Sequence, residues 1–193
     1  MAPFDVTAWG SWGSGQDQMN YPRGIAVDDS FYVYVAEQGN NRVHKFTSDG
    51  VSVKTWGSQG TAEGLFNGCM SVAAGPSGDI YVVDAYNNRV QQFTPNGGFV
   101  RAWGSHGTTD GRFGNMGYIA VDQWGHVYVP DSYGCRIQRF TAYGVFLNKW
   151  GGCGAGEGEF ANVPYGLAVH TDGTVYVNDF QVCRIMKFLP TCP

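Results

Sequence analysis

The sequence predicts an all-β propeller of four-stranded blades, and three observations carry that prediction. Glycine supplies 29 of 193 residues and aromatics 15 %, while charged residues are only 15 %. A landmark residue recurs every 47 positions: Trp9, Trp56, Trp103 and Trp150, each followed by glycine. Between landmarks lie four short runs rich in Val, Ile, Tyr and Phe, punctuated by turn residues. Disorder is excluded by the aromatic content, collagen by the lack of a three-residue glycine period, and a helical bundle by the density of glycine.

Each copy reads as four strands. The first is Gly24-Ile25-Ala26-Val27 and its equivalents, such as Gly166-Leu167-Ala168-Val169. In the second copy, Ile80–Val83, Arg89–Phe93 and Phe99–Trp103 follow. Pro76-Ser77-Gly78-Asp79, Tyr86-Asn87-Asn88 and Pro95-Asn96-Gly97-Gly98 supply the turns. Val90 and Phe93 lie three apart, which breaks strict alternation and predicts a bulge or twist in the third strand. Arg42, Arg89, Arg136 and Arg184 share one phase, and Phe46, Phe93, Phe140 and Phe188 follow them by four. The tyrosine and phenylalanine series are expected to pack between blades, because a blade cannot bury both faces alone.

The order Gly-Ile-Ala-Val, Tyr-Val-x-Asp, Asn-x-Arg-Val-x-x-Phe resembles the NHL repeat, most closely at Ile80–Asp84, Asn87–Val90 and Phe93. The resemblance runs over about residues 6–189, in repeats of about 6–50, 51–98, 99–144 and 145–189, so residues 1–193 read as one domain. Glu37 stands where the pattern has Asp, Gly134 and Val182 where it has the first Asn, and Cys69 and Met116 where it opens with Pro. The resemblance implies a propeller and leaves the activity open. Ubiquitin-ligase targeting, RNA binding, sensing and peptide-amidating lyase activity all occur on such repeats.

Asp5–Gly10 has the phase of a fourth strand, and the last repeat stops after its third. The expectation is a ring closed by the N-terminal strand, with a share of a six-bladed ring as the alternative. An incomplete ring would make the chain an oligomer.

Chemistry-bearing residues are sparse. His44, His106, His126 and His170 occupy four different phases, so the repeat does not converge them into a metal site. Glu37, Asp84, Asp131 and Asp179 do share a phase and are the weak metal candidates. The alternative is that each caps a turn or pairs with the arginine five residues on. The four arginines and four tryptophans therefore read as structural. No nucleophile elbow or phosphate loop is present, and no cofactor is expected. Cys135 and Cys183 lie in adjacent repeats and read as free thiols. An odd total of 5 cysteines fits a reduced, cytoplasmic chain.

The net charge of −4 argues against nucleic acid as partner. No run of 18 apolar residues and no signal peptide is seen, so a soluble chain off the membrane is expected. In a propeller the turns between strands two and three share a face with the loops leading to the next blade. That face would present Asn40, Tyr86, Asn87, Tyr133, Phe180 and His106. Aromatics with amides suit a protein or peptide. The sequence thus points to a non-catalytic interaction scaffold. A metal-dependent lyase or lactonase is the alternative from another class, and a ubiquitin-ligase or RNA-binding module is a further one.

Overall fold

A computed structural model of the chain describes residues 7–161 and 164–190. A short parallel pair, β1 (Ser11–Trp12) and β2 (Gln18–Met19), precedes the blades. The first blade is β3 (Pro22–Val27), β4 (Val33–Glu37), β5 (Arg42–Phe46) and β6 (Ser52–Trp56). The second is β7 (Cys69–Ala74), β8 (Ile80–Asp84), β9 (Arg89–Phe93) and β10 (Phe99–Trp103). The third is β11 (Ala120–Val121), β12 (Val127–Asp131), β13 (Arg136–Phe140) and β14 (Phe146–Gly151). The fourth is β15 (Pro164–Val169), β16 (Val175–Asp179) and β17 (Arg184–Phe188). Every blade is an antiparallel meander in sequence order, and the fourth shows three strands among the described residues. This is the expected propeller arrangement, with the first strands of successive blades beside one another at the centre.

Burial follows from the stacking. One apolar cluster joins Tyr34, Val43 and Trp56 of the first blade to Val72, Ile80, Val82 and Phe93 of the second. A second joins Tyr81, Val83 and Val90 to Val127, Val129 and Phe140, and a third joins Tyr128 and Ile137 to Val175 and Val177. Val90 faces the following blade and Phe93 the preceding one. Their spacing of three therefore reflects a strand buried on both faces, not a bulge in β9. β9 pairs with β8 in unbroken register. The irregularity lies instead in the outer strand, where the register shifts between Phe99 and Arg101. The same shift recurs opposite Phe46 and Phe140.

The turn between third and fourth strands places a glycine in the left-handed region under a tryptophan of the previous blade. Gly97 has φ of 75°, and a Cβ there would come within 2.6 Å of the Trp56 ring. Gly144 has the same relation to Trp103, and Gly50 to Trp9.

Two expectations meet different outcomes. Cys135 is not a free thiol: it is bonded to Cys153, with Cα atoms 5.0 Å apart. Its turn conformation, φ 46°, matches Asn41 and Asn88, and the bond ties that turn to the loop leaving the same blade. Disulfides persist in oxidising surroundings, so this pairing runs against the reading of a reduced chain. Cys69, buried, and Cys183, exposed, are free. The closing strand expected at Asp5–Gly10 lies in part outside the described residues.

Candidate functional site

The long loops between blades fold back onto the turn between the second and third strands of the next blade, and a repeated clamp fixes them there. Asp84 is fully buried at the end of β8. It accepts hydrogen bonds from the Asn67 amide (2.7 Å), Asn87 Nδ2 (2.9 Å) and Arg89 Nε (2.7 Å). Arg89 in turn donates to the loop carbonyls of Ala62 and Leu65. Asp131 accepts from the Gly114 amide and Arg136 Nε, and Arg136 donates to Thr109 and Arg112 carbonyls. Asp179 accepts from the Ala161 amide and Arg184 Nε. Gln91 and Gln138 add a second tie to the same loops, each accepting from a glycine amide and donating to a carbonyl.

Glu37 does the same in the first blade, with its longer side chain reaching the Asn20 amide, Asn40 Nδ2 and Arg42 Nε. His44 takes the glutamine phase there and lies between Glu37 (3.1 Å) and Ser52 Oγ (2.8 Å). Burial pushes the Glu37 carboxyl upward. The bonds from His44, Arg42, Asn40 and the Asn20 amide outweigh it and leave the group below its ordinary value. A carboxylate already ringed by donors has little capacity left for a cation.

The sequence-predicted metal candidates therefore serve another use: each is engaged by the arginine of its own blade and by an amide of the loop leading into that blade. Among the described residues no group of three or more His, Cys, Asp or Glu is placed to hold a metal ion. The histidines are dispersed. His106 is exposed in a long loop, His126 bonds Asp122 Oδ2 at 2.8 Å, and His170 bonds Asp172 on the surface.

Asn40 and Asn87 donate to the carbonyls of Gly13 and Gly60 as well as to their carboxylates, so they serve the clamp. Tyr86, Tyr133 and Phe180 are different. They are 64 %, 69 % and 66 % exposed, in the same turn of the second, third and fourth blades, and the first blade has Gly39 in the phase of Tyr86 and Tyr133. Tyr86 lies against Gly68 and Tyr133 against Gly114, where a Cβ would collide with either ring. The Tyr86 hydroxyl accepts from Gln38 Nε2 (3.3 Å), and Phe180 packs on Tyr165, which packs on Tyr118. Sequence reading missed Tyr118 and Tyr165, because the phase of Tyr118 is held by Gly24, Ser71 and Gly166 in other copies and that of Tyr165 by Arg23, Met70 and Gly117.

A cavity of about 320 Å³ opens between the third and fourth blades, lined by Trp124, Tyr128, Arg139, Trp150, Asp172 and Phe188. It sits at the end of the blades opposite the clamped loops. Inside it, burial and the bond donated to Asp122 push the Tyr128 phenol well above its usual range.

Comparison with known proteins agrees with this architecture. The family profile of the NHL repeat matches residues 66–93, the second blade. No curated protein matches the chain in sequence. Among solved structures, a streptogramin B lyase superposes with a TM-score of 0.64 at 15 % identity, over 89 % of this chain and 55 % of that one. A catalytically inactive virginiamycin B lyase from Staphylococcus aureus with quinupristin gives 0.63 at 16 %, over 94 % and 58 %. A selenomethionine form of the same lyase gives 0.53 at 16 %, over 92 % and 73 %. At such identities the likeness is one of fold. The chain spans a little over half the length of the first two.

Proposed function

We propose that this NHL-repeat propeller is a non-catalytic scaffold that binds a protein or peptide on its loop face. The observation that carries the reading is the row of Tyr86, Tyr133 and Phe180. Three large rings repeat on one face, each backed by a fixed turn, while the ionisable groups beneath them are consumed by the clamp. Rigid aromatics with a polar tip lose little conformational entropy on binding and give large contact area.

A phage-displayed random peptide library panned on the purified chain tests it. Selected peptides are expected to lose at least about tenfold in affinity when Tyr86, Tyr133 and Phe180 are all changed to Ala, with melting unaltered. Peptides that bind the triple variant as well as the parent would overturn the loop-face assignment. The lyase reading makes a separate demand: turnover of quinupristin by the purified chain would favour it over a scaffold.

A further inference from the structure

The loop face carries a second repeated feature beside its aromatic row. Each long loop between two described blades turns on a glycine in the left-handed region: Gly64, Gly111 and Gly158, with φ of 78°, 77° and 78°. The residue before each is an exposed acid, Glu63, Asp110 or Glu157. The clamp fixes the first two tips, because the Gly64 and Gly111 amides are bonded to Gln91 and Gln138. Glu159 adds a fourth carboxylate, and Arg112 is the one lysine or arginine in these loops. The arginines beneath, Arg89, Arg136 and Arg184, already balance the buried clamp carboxylates. Lys149 and Arg136 reach Asp110, whereas Glu63, Glu157 and Glu159 have no ion pair among the described residues.

The rings beside these acids are open. Tyr86 and Tyr133 belong to the second and third blades, which have a blade packed on each side, so their exposure does not depend on what adjoins the first and fourth. Elsewhere the chain lays its own cations over rings, with Lys45 over Tyr32 at 3.9 Å and Arg101 over Tyr143 at 5.0 Å. Among the described residues no lysine or arginine lies over Tyr86 or Tyr133.

The first blade supplies a ring by another route. Gly39 stands in the phase of Tyr86, and a Cβ there would come within 2.5 Å of the Asn20 side chain. Tyr21, in the phase of Gly68, provides the ring instead. The two positions share one short ladder, in which the Gly39 amide donates to the Asn20 carbonyl and the Gln38 amide to that of Tyr21. Ring and glycine have thus exchanged sides between the first and second blades. Tyr21 holds φ of 46°, a conformation that costs a side-chain-bearing residue strain. Strain kept at such a turn is expected where the side chain serves a ligand.

We propose that the loop face binds a cationic peptide, whose Lys or Arg heads lie over Tyr21, Tyr86 and Tyr133 and pair with Glu63 and Glu157 at the rim. The proposal rests on the scaffold reading above and gives its partner a chemistry. A cation over an aromatic face is held by the ring quadrupole, most strongly where the ring is fixed and partly desolvated. Rim carboxylates without partners steer an oppositely charged chain onto the face and reject an acidic one. The net charge of −4 over the whole chain acts in the same direction.

Sequencing the peptides that a random phage library yields on the purified chain tests this. Lys and Arg are expected to be enriched over the input library. A synthetic copy of the most enriched peptide is then titrated by fluorescence anisotropy. At low salt, Glu63→Gln combined with Glu157→Gln is expected to weaken it about tenfold, and high salt to erase the difference. Tyr21→Gly is expected to weaken it about fivefold while melting no lower than the parent, because glycine relieves the left-handed strain. Selected peptides that carry no excess of Lys or Arg, yet lose affinity with Tyr86→Ala and Tyr133→Ala, overturn the cationic assignment and leave the scaffold reading standing. A cationic peptide that binds either the acid variant or Tyr21→Gly as tightly as the parent also overturns it. A library from which the chain enriches nothing overturns both readings.

Discussion

Glu37 shows how much rests on single carboxylates. Its side chain is fully buried, and Arg42, His44, Asn40 and the Asn20 amide all donate to it. Glu37→Gln removes the charge while leaving the donors buried, which costs about 3 kcal/mol by analogy with broken buried pairs. Urea unfolding of the variant measures that loss directly. The pH dependence has a definite sign. The folded carboxyl titrates below its ordinary 4.5, so the unfolded state takes up the proton first. The stability Glu37 contributes is fully present above pH 4.5 and is lost as pH falls through the folded value. Acid unfolding of Glu37→Gln is therefore expected to show a shallower loss in that range than the parent. The pairing of this phase with the arginine five residues later was legible from spacing alone. The loop amides and carbonyls that complete the clamp were not, since backbone partners 24 and 27 residues away leave no side-chain signature.

At the level of elements, tight turns and blade contacts depend on one another. Gly97 combines φ of 75° with the Trp56 ring 2.6 Å from an added Cβ. Gly64 has φ of 78° and nothing within 4 Å. Gly64→Ala is thus expected to cost only the left-handed strain, about 1 kcal/mol, and Gly97→Ala about 1–3 kcal/mol more. Paired thermal melts separate steric crowding from backbone strain. The Cys135–Cys153 bond closes a loop with a sequence separation of 18, and changing both to Ser is expected to cost about 3 kcal/mol. Equal melting with and without reductant would contradict that. This bond was hidden from the sequence because Cys153 belongs to a loop phase held by Gln59 and His106 elsewhere. Nothing in one copy hints that two phases 18 residues apart meet across a turn. The spacing of Val90 and Phe93 was visible and misled for a related reason. Alternation assumes one dry face, and a strand between two blades has two.

Over the whole molecule, repetition made the architecture readable before any coordinates: four phases of Trp, Arg, Phe and Tyr specify blades and their stacking. Function was less legible, because repeated residues are the ones that build the fold. Asn40 and Asn87 illustrate this, being part of both the expected face and the clamp. What remains outward is the aromatic row, carried on turns locked by buried carboxylates and glutamines. The central claim is that the loop face is a preformed, rigid platform. Hydrogen exchange of the free chain measures this at the clamped loop amides of Gly64, Asn67, Gly111 and Gly114, each bonded to a side chain of the blade. The account predicts that these loop amides exchange nearly as slowly as the strands, and that Asp84→Asn releases Asn67 selectively. Rapid exchange of all four in the unaltered chain would contradict it.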